Sequence, residues 1–235
     1  MSKLYLDAGT TWSKIIQPKN EGKSLFDKQY LIKETNDKLY YILPSKLLKT
    51  SEYDWAKTTG HMSFEAKQKG VTYLNEVIAL AKGVQKLNLK EKSITVMDLG
   101  SRDIKWVRFE DGKFLDLDWN SSCASSTGAT VEMLLKFYDL KAQDLSFNEE
   151  KYNITCGIFG LEKIMDDIAK GENPKNAISK FVHGLAFNAW NFALKPEKIF
   201  LSGGFCENKC FVDSISKYAQ TVLLGRFVLV EGLID

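Results

Sequence analysis

Short apolar runs and stretches of alternating apolar and polar residues predict strands along much of this chain. Turn residues separate several of them: Asn36-Asp37 joins two alternating segments, and Asp111-Gly112 has the composition of a tight hairpin turn. The predicted strands are Leu4–Asp7, Ser13–Gln17, Gln29–Lys33, Lys38–Leu43, Ser93–Asp98, Ile104–Phe109, Lys113–Trp119, Lys198–Leu201 and Arg226–Val230.

Apolar residues three and four positions apart predict helices between these strands. One helical pattern is expected to end near Gly83, and Gly171 lies just beyond another as a stop signal. Pro174 occupies a position that a first helical turn tolerates. The predicted helices are Leu74–Val84, Ala129–Tyr138, Ile158–Lys170, Ala177–Leu194 and Lys209–Tyr218. The polar segment 141–153 is expected to be a connection. Strands and helices together indicate a mixed α/β protein.

One unit of this pattern occurs twice. A strand that ends in Asp-x-Gly is followed by a second strand, first at Asp7 and again at Asp98. Each copy opens a run of antiparallel strands that leads into a helix, which predicts an internal duplication of one α/β unit. The polar stretch 85–92 separates the copies, so we expect two lobes at residues 1–88 and 89–235.

Composition narrows the classes of partner. The 235 residues carry a formal net charge of +2 and scattered basic residues, which gives no case for a nucleic-acid or membrane partner. Because the N-terminus enters a strand at once, we expect no leader peptide and a cytoplasmic location. In that compartment the four cysteines are expected to be free thiols, metal ligands or redox groups rather than disulfides.

The two Asp-x-Gly turns have the chemistry of phosphate-binding sites. Glycine lets backbone N–H groups approach a phosphate closely, and hydroxyl groups add further donors. Lys14 and Lys105, each seven residues after the aspartate, supply a positive charge. A carboxylate at a strand end can hold Mg²⁺, usually through water. A third element, Leu201–Phe205, is a strand that runs into two glycines and suits the nucleoside.

A tight hairpin in an ordinary sheet is the alternative for any single turn of this kind. Three such elements in this order favour a nucleotide site. The segments Asp7–Lys14, Asp98–Lys105 and Ser202–Asn208 resemble the phosphate-1, phosphate-2 and adenosine motifs of the actin, sugar-kinase and heat-shock-chaperone superfamily. The resemblance implies two actin-like, ribonuclease-H-like lobes with an ATP cleft between them.

The same resemblance implies a set of site residues. Asp7, Asp98 and Asp103 are the expected catalytic carboxylates. The residues expected to bind ATP and Mg²⁺ are Asp7, Gly9, Thr10, Thr11, Lys14, Gly100, Ser101, Lys105, Gly128, Gly203, Gly204 and Asn208.

Cys123 and Cys156 each directly precede a predicted helix, where the helix N-terminus lowers the pKa of a thiol. From spacing alone both remain candidates for small buried residues. In their segments, and in Thr58-Thr-Gly60 and Glu76–Gly83, the chain resembles the ATP-dependent activators of 2-hydroxyacyl-CoA dehydratases and benzoyl-CoA-type reductases. That family implies a homodimer in which these two cysteines of both subunits hold one 4Fe–4S cluster. It also implies a dehydratase or reductase partner, and ferredoxin or flavodoxin as electron donor.

The chain departs from the family pattern at the second turn. Ser101-Arg102 stands where the family has Gly-Gln, so a residue that polarises the attacking water is expected to be missing and hydrolysis to be slow. Two alternatives follow: a small-molecule kinase of the same superfamily, and a non-catalytic ATP-binding regulator. Cys206 and Cys210 are expected to be ordinary thiols, and His183 a packing or surface residue.

Overall fold

The computed structural model describes residues 3–19, 24–120, 127–154 and 157–235. The chain divides into two compact units, the first made of Met1–Leu89 with Arg226–Asp235 and the second of Lys90–Gly225. No helix among the described residues combines the length and the apolar character needed to cross a membrane.

The first unit is built on a six-stranded sheet in the order β3-β4-β2-β1-β5-β6. The strands β1 to β4 pair antiparallel, whereas β5 pairs parallel with both β1 and β6. The elements are β1 (Leu4–Ala8), β2 (Trp12–Pro18), β3 (Leu31–Glu34), β4 (Lys38–Pro44), β5 (Trp55–Thr59), α1 (Phe64–Gln68), β6 (Thr72–Tyr73) and α2 (Glu76–Lys86). Its core includes Leu6, Ile15 and Tyr41, which are fully buried.

The second unit repeats this plan with a five-stranded sheet in the order β11-β10-β7-β8-β9. Here β7, β10 and β11 are parallel, and β7, β8 and β9 form an antiparallel meander. The elements are β7 (Ser93–Leu99), β8 (Ile104–Glu110), β9 (Lys113–Asn120), α3 (Gly128–Phe137), α4 (Gly157–Ala169), α5 (Pro174–Phe192), β10 (Lys198–Gly203), α6 (Lys209–Ser216) and β11 (Gln220–Gly225). The central helix α5 buries Phe181 and Leu185 in one core with Met97 and Trp106 of the sheet.

The predicted strand Arg226–Val230 is wrong. The last strand is β11, and Val228–Glu231 forms a short helix, α7, that lies in the first unit. Val230 and Leu233 are fully buried there against Ile16 and Ala79. The apolar run that suggested a strand is therefore the buried face of a helix, and the expected second lobe, 89–235, loses its last ten residues to the first unit.

Helix α2 extends through Gly83, which the sequence predicted as its end. A side chain at Gly83 would lie 2.0 Å from the carbonyl oxygen of Val228, so this glycine allows close backbone contact between α2 and α7. A side chain at Gly232 would lie 1.9 Å from the carbonyl oxygen of Ala79. Both glycines therefore allow α2 to pack closely against the α7 segment, and α2 does not end at Gly83.

Candidate functional site

The first Asp-x-Gly turn lies at the carboxyl end of β1. Asp7 faces Lys14 across the β1–β2 pair, and the Lys14 Nζ donates to Asp7 Oδ2 over 2.9 Å. Because Asp7 is 4% exposed, its charge is balanced locally by this lysine. Thr10 is exposed and Thr11 half-buried, so their hydroxyl groups lie on the accessible side of the turn.

Close backbone packing fixes the shape of this turn. The hydroxyl of Ser45 donates to the carbonyl oxygen of Gly9 over 2.7 Å. A side chain at Gly9 would lie 2.5 Å from the carbonyl oxygen of Trp12, so this position requires glycine. The turn therefore presents bare backbone, as an approaching phosphate requires.

Strand β5, which the sequence analysis missed, supports the turn from the parallel side. It ends at Thr59, directly opposite Asp7, and Gly60 follows with a φ of +93°. A side chain at Gly60 would lie 2.4 Å from the carbonyl oxygen of Ala8. His61 then makes a 3.0 Å contact from Nδ1 to Glu76 Oε1 at the start of α2.

The second turn, in the other unit, has the same pairing of aspartate and lysine. Asp98 faces Lys105 across the β7–β8 pair, with 3.8 Å between Asp98 Oδ1 and Lys105 Nζ. Ser202 of β10 donates its hydroxyl to Asp98 Oδ2 over 2.7 Å. The parallel pairing of β7 and β10, which places Ser202 beside Asp98, brings this hydroxyl to the carboxylate.

Asp103 is the most enclosed carboxylate of the second turn. Lys105 Nζ donates to its Oδ1 over 2.8 Å, and Trp119 Nε1 donates to its Oδ2 over 2.7 Å. Lys105 is only 2% exposed, so its ammonium group is held between Asp98 and Asp103. The sequence predicted that Lys105 binds phosphate, and it did not indicate a role for Trp119. The register of the β8–β9 hairpin, which pairs Lys105 with Trp119, is the signal that could have identified this tryptophan.

The glycine-rich third element lies at the carboxyl end of β10, the strand next to β7 in the same sheet. Gly203 has a φ of +92°, and a side chain there would lie 2.4 Å from the carbonyl oxygen of Leu99. Gly204 is exposed, and a side chain there would meet no described atom within 4 Å. Asn208 is buried and its side-chain oxygen accepts the N–H of Phe211, so its amide caps α6. The accessible backbone at Gly204 is the part of this element open to a ligand.

Gly128, at the start of α3, lies against the second turn. A side chain at this position would lie 2.9 Å from the carbonyl oxygen of Gly100 and 3.1 Å from the Phe205 ring. The Gly100 and Ser101 turn, Gly128 and Phe205 therefore converge outside the carboxyl ends of β7 and β10. In open α/β sheets this is the edge at which ligands bind.

The expected cluster ligands, Cys123 and Cys156, lie outside the described residues. Helix α4 begins at Gly157, directly after Cys156. The other two cysteines are described. Burial raises the pKa of the Cys206 thiol to about 12 and that of the Cys210 thiol to about 11. Their Sγ atoms donate to the carbonyl oxygens of Leu201 and Ser146.

No protein-family model matches the chain. The chain is 22% identical to the (R)-2-hydroxyglutaryl-CoA dehydratase activating ATPase of Acidaminococcus fermentans over 219 residues, which cover 87% of this chain and 83% of the relative.

Two solved structures share the fold. The activator of the 2-hydroxyisocaproyl-CoA dehydratase from Clostridium difficile superposes with a TM-score of 0.74 and 16% identity, over 99% of this chain and 92% of that one. Component A of the (R)-2-hydroxyglutaryl-CoA dehydratase of Acidaminococcus fermentans gives 0.73 and 18%, over 99% and 96%. The predicted α/β, actin-like fold class and the resemblance to dehydratase activators are both confirmed.

Proposed function

We propose that this protein, whose relatives are ATP-dependent activators of dehydratases, binds ATP and passes an electron to a CoA-ester dehydratase or reductase. One observation carries the nucleotide part of the proposal. Each unit holds a buried Asp–Lys pair across a hairpin and a positive-φ glycine on the adjacent parallel strand. A similar activator structure carries the ATP analogue ADPNP, which supports the same ligand here.

Each turn, taken by itself, offers accessible backbone to a phosphate group of ATP. Thr10, Thr11 and the Gly9 backbone serve the first turn, and the Gly100 and Ser101 backbone serves the second. Lys14 is 14% exposed in its side chain, so its ammonium group can contact a phosphate while it remains paired with Asp7. Gly203 holds its strand against Leu99, and Gly204 offers exposed backbone to the nucleoside.

In each unit, taken separately, the carboxylate of the turn suits Mg²⁺ bound through water. Asp7 and Asp98 each lie one residue before the end of a strand, and hard carboxylate oxygens are the ligands that this ion prefers. When bound, the ion neutralises phosphate charge. The residues that hold the carboxylates in place are Lys14 for Asp7, and Lys105 and Ser202 for Asp98.

A homodimer with one 4Fe–4S cluster is the second part of the proposal. Cys156 directly precedes α4, whose N-terminal N–H groups favour a thiolate. Cys123 is its companion, because the resemblance to the dehydratase activators implies these two cysteines as ligands. One chain then supplies two ligands, and a twofold axis supplies four. The cluster, once bound, would supply one-electron chemistry, with reduced ferredoxin or flavodoxin as the donor, in the cytoplasm.

Exposed apolar side chains on α3 and α4 support this subunit interface. Met133, Phe137, Ile158 and Phe159 are 54–69% exposed on the two helices that follow the cysteine segments. A second subunit would remove such side chains from water. The proposed interface therefore includes α3 and α4.

One observation favours the regulator as the second candidate function. Both oxygens of Asp103 accept hydrogen bonds within the protein, from Lys105 and Trp119, and the side chain of Arg102 offers only hydrogen-bond donors. ATP binding with very slow hydrolysis follows from this arrangement. The kinase alternative gains no support from the described residues.

Calorimetric titration with Mg–ATP, followed by a turnover assay, tests the nucleotide part. We expect binding and slow hydrolysis, and we expect Arg102→Gln to preserve or raise turnover. If Arg102→Gln lowers turnover, Arg102 is itself catalytic through stabilisation of transition-state charge. Absence of ATP binding by the wild-type protein would remove the nucleotide function altogether.

Anaerobic iron–sulfur reconstitution, with spin-resonance spectroscopy and size measurement, tests the electron-transfer part. Cys123→Ser or Cys156→Ser is expected to abolish the cluster and loosen the dimer. Cys206→Ser and Cys210→Ser are the matched controls and are expected to change neither. A monomer without iron after reconstitution would eliminate electron transfer and favour the regulator.

A further inference from the structure

Arg226 lies against Trp12, the residue that directly follows the Gly9–Thr11 backbone of the first turn. Its guanidinium carbon, Cζ, is 5.6 Å from the centre of the Trp12 ring, within the range of a cation–π contact. Both side chains are half-buried, and both residues belong to the first unit. The far end of the chain therefore supplies a positive charge beside the first turn.

Strand alternation places Trp12 on the same face of the sheet as Lys14. Side chains two residues apart on a strand point to the same side, so Trp12, Lys14 and Ile16 of β2 share one face, at intervals of about 7 Å. Ile16 is buried with residues of α2 and α7, which identifies this face as the one that these helices cover. Lys14 and the ring that carries the Arg226 guanidinium therefore lie next to each other along β2.

The backbone of Arg226 is held in place by the residues that follow it. The Phe227 ring meets the Tyr40 ring edge-on, with 5.1 Å between the ring centres and an angle of 77°. Val228 and Val230 are buried beneath α7. An arginine side chain loses rotamer freedom when it binds a ligand, and contact with a ring reduces this loss because it orders the side chain beforehand.

The charges of the first turn favour a second cation. Lys14 Nζ donates to Asp7 Oδ2 over 2.9 Å, so the carboxylate offsets the charge of this lysine. The phosphates of ATP carry several negative charges. A guanidinium group has several N–H donors at its edge and stacks through its flat face, so it can contact a ring and protein acceptors and still donate to a phosphate. Two parallel donors of this kind match the geometry of phosphate oxygens.

We propose that Arg226 is a phosphate-binding residue of the first unit, in addition to Lys14, and that Trp12 is the positioning residue that holds its guanidinium group. The inference rests on the proposed function, because it requires a phosphate at the first turn. It assigns Arg226 to the phosphates and not to the nucleoside, and the two assignments predict different binding data.

Calorimetric titration of the full chain with Mg–ATP, and with inorganic tripolyphosphate and Mg²⁺ in competition with ATP, tests Arg226. We expect Arg226→Gln to weaken both ligands by about tenfold or more, the lower end for a hydrogen bond between charged groups. Arg226→Lys keeps the charge but loses the parallel donors, so we expect a smaller loss for both ligands. Unchanged affinities in both variants would overturn the proposal.

The comparison of the two ligands separates phosphate contact from nucleoside contact. A loss for ATP alone would assign Arg226 to the nucleoside and overturn the proposal. Tripolyphosphate that fails to displace ATP from the wild type would also overturn it, because the phosphates would then contribute too little for a second cation. If the wild type binds no ATP, the proposed function itself fails, and this result is distinguishable from the other two.

A double-mutant cycle tests the positioning role of Trp12. We expect Trp12→Leu to weaken ATP binding by about threefold, as for a cation–π contact at a partly exposed site. In the Arg226→Gln background the same change is expected to have little effect, because no guanidinium group is left to position. Trp12→Phe keeps an aromatic face and should fall between the wild type and Trp12→Leu. Losses that simply add in the double variant would overturn the positioning role.

Arg108→Gln is the matched control, because the Arg108 guanidinium also lies over a tryptophan ring, with 5.1 Å from its Cζ to the centre of Trp106. This arginine belongs to the second unit and donates to the carbonyl oxygen of Ala193 after α5, so we expect wild-type affinity for both ligands. Chemical denaturation compares the stability of the variants. A loss of affinity in Arg108→Gln as large as that in Arg226→Gln would overturn the proposal, because lost stability would then explain both.

Discussion

Gly60 and Gly203 occupy the same position in two copies of one structural unit. Gly60 directly follows β5 and Gly203 is the last residue of β10, the strands that run parallel to those bearing Asp7 and Asp98, and their φ values are +93° and +92°. At each, a side chain would lie 2.4 Å from a carbonyl oxygen of the aspartate-bearing strand, on Ala8 and on Leu99 respectively. The duplication therefore includes the backbone packing beside each Asp-x-Gly turn, in addition to the sequence pattern.

Gly203→Ala is expected to destabilise the second unit by more than about 2 kcal/mol. The left-handed backbone costs an L-residue roughly 1–2 kcal/mol, and the clash with Leu99 adds to this cost. Gly225→Ala is the matched control, because its φ is +82° but no described atom lies within 4 Å of the added side chain. Chemical denaturation gives both values. Equal losses in the two variants would show that the packing against Leu99 is unimportant.

Lys14→Ala is expected to weaken ATP binding by roughly 1–3 kcal/mol, the range of a hydrogen bond between charged groups. The variant removes a phosphate contact and leaves the buried Asp7 without the lysine that pairs with it. Lys19→Ala serves as the control, since Lys19 forms a more exposed ion pair with Glu34 in the same unit. Calorimetric titration measures both. Unchanged affinity in Lys14→Ala would contradict the assignment of the first turn.

Cys206 and Cys210 are expected to react slowly with a thiol reagent in the folded protein. The pKa of Cys206 rises from 9.0 to about 12, which lowers its thiolate fraction on the order of a thousandfold near neutral pH. Reactivity should grow as the pH rises toward the raised pKa, and unfolding should abolish the protection. Mass-spectrometric mapping separates the four cysteines. Fast labelling of either thiol at pH 8 would contradict the burial described here.

Asp116 and Asp118 are expected to keep the edge strand β9 from pairing with other chains. Their Oδ1 atoms accept the N–H groups of Leu117 and Trp119, in a strand that ends the sheet formed by the described residues. The double variant Asp116→Ala with Asp118→Ala removes the acceptors of the Leu117 and Trp119 N–H groups, next to exposed leucine side chains. We expect a strand of another chain to pair with β9 more readily as a result.

Light scattering at a series of protein concentrations tests this prediction. We expect the Asp116→Ala/Asp118→Ala variant to form larger particles than the wild type. Glu52→Ala with Asp54→Ala, two exposed acidic residues of the first unit, controls for the loss of charge. Equal association in the two double variants would mean that net charge, rather than the capped edge, prevents pairing.

Local sequence determined the features that depend on neighbouring residues. The Asp7–Lys14 and Asp98–Lys105 pairs are seven residues apart, so the hairpin between them is enough to bring the charges together. Alternation and turn residues likewise predicted β7, β8 and β9 to within about a residue at each end, and the Asp-x-Gly repeat predicted the duplication.

Only the tertiary structure decided the contacts between distant segments. Ser202 reaches Asp98 across 104 positions because β10 lies beside β7, an order that no local pattern encodes. The sequence of α7 has the pattern of a strand. It forms a helix in the fold, where Val230 and Leu233 are buried against Ile16 and Ala79. Lys105, which the sequence assigns to phosphate, lies buried beside the carboxylates of Asp98 and Asp103. Strand order and burial are properties of the whole fold, so these contacts could not be predicted from the sequence alone.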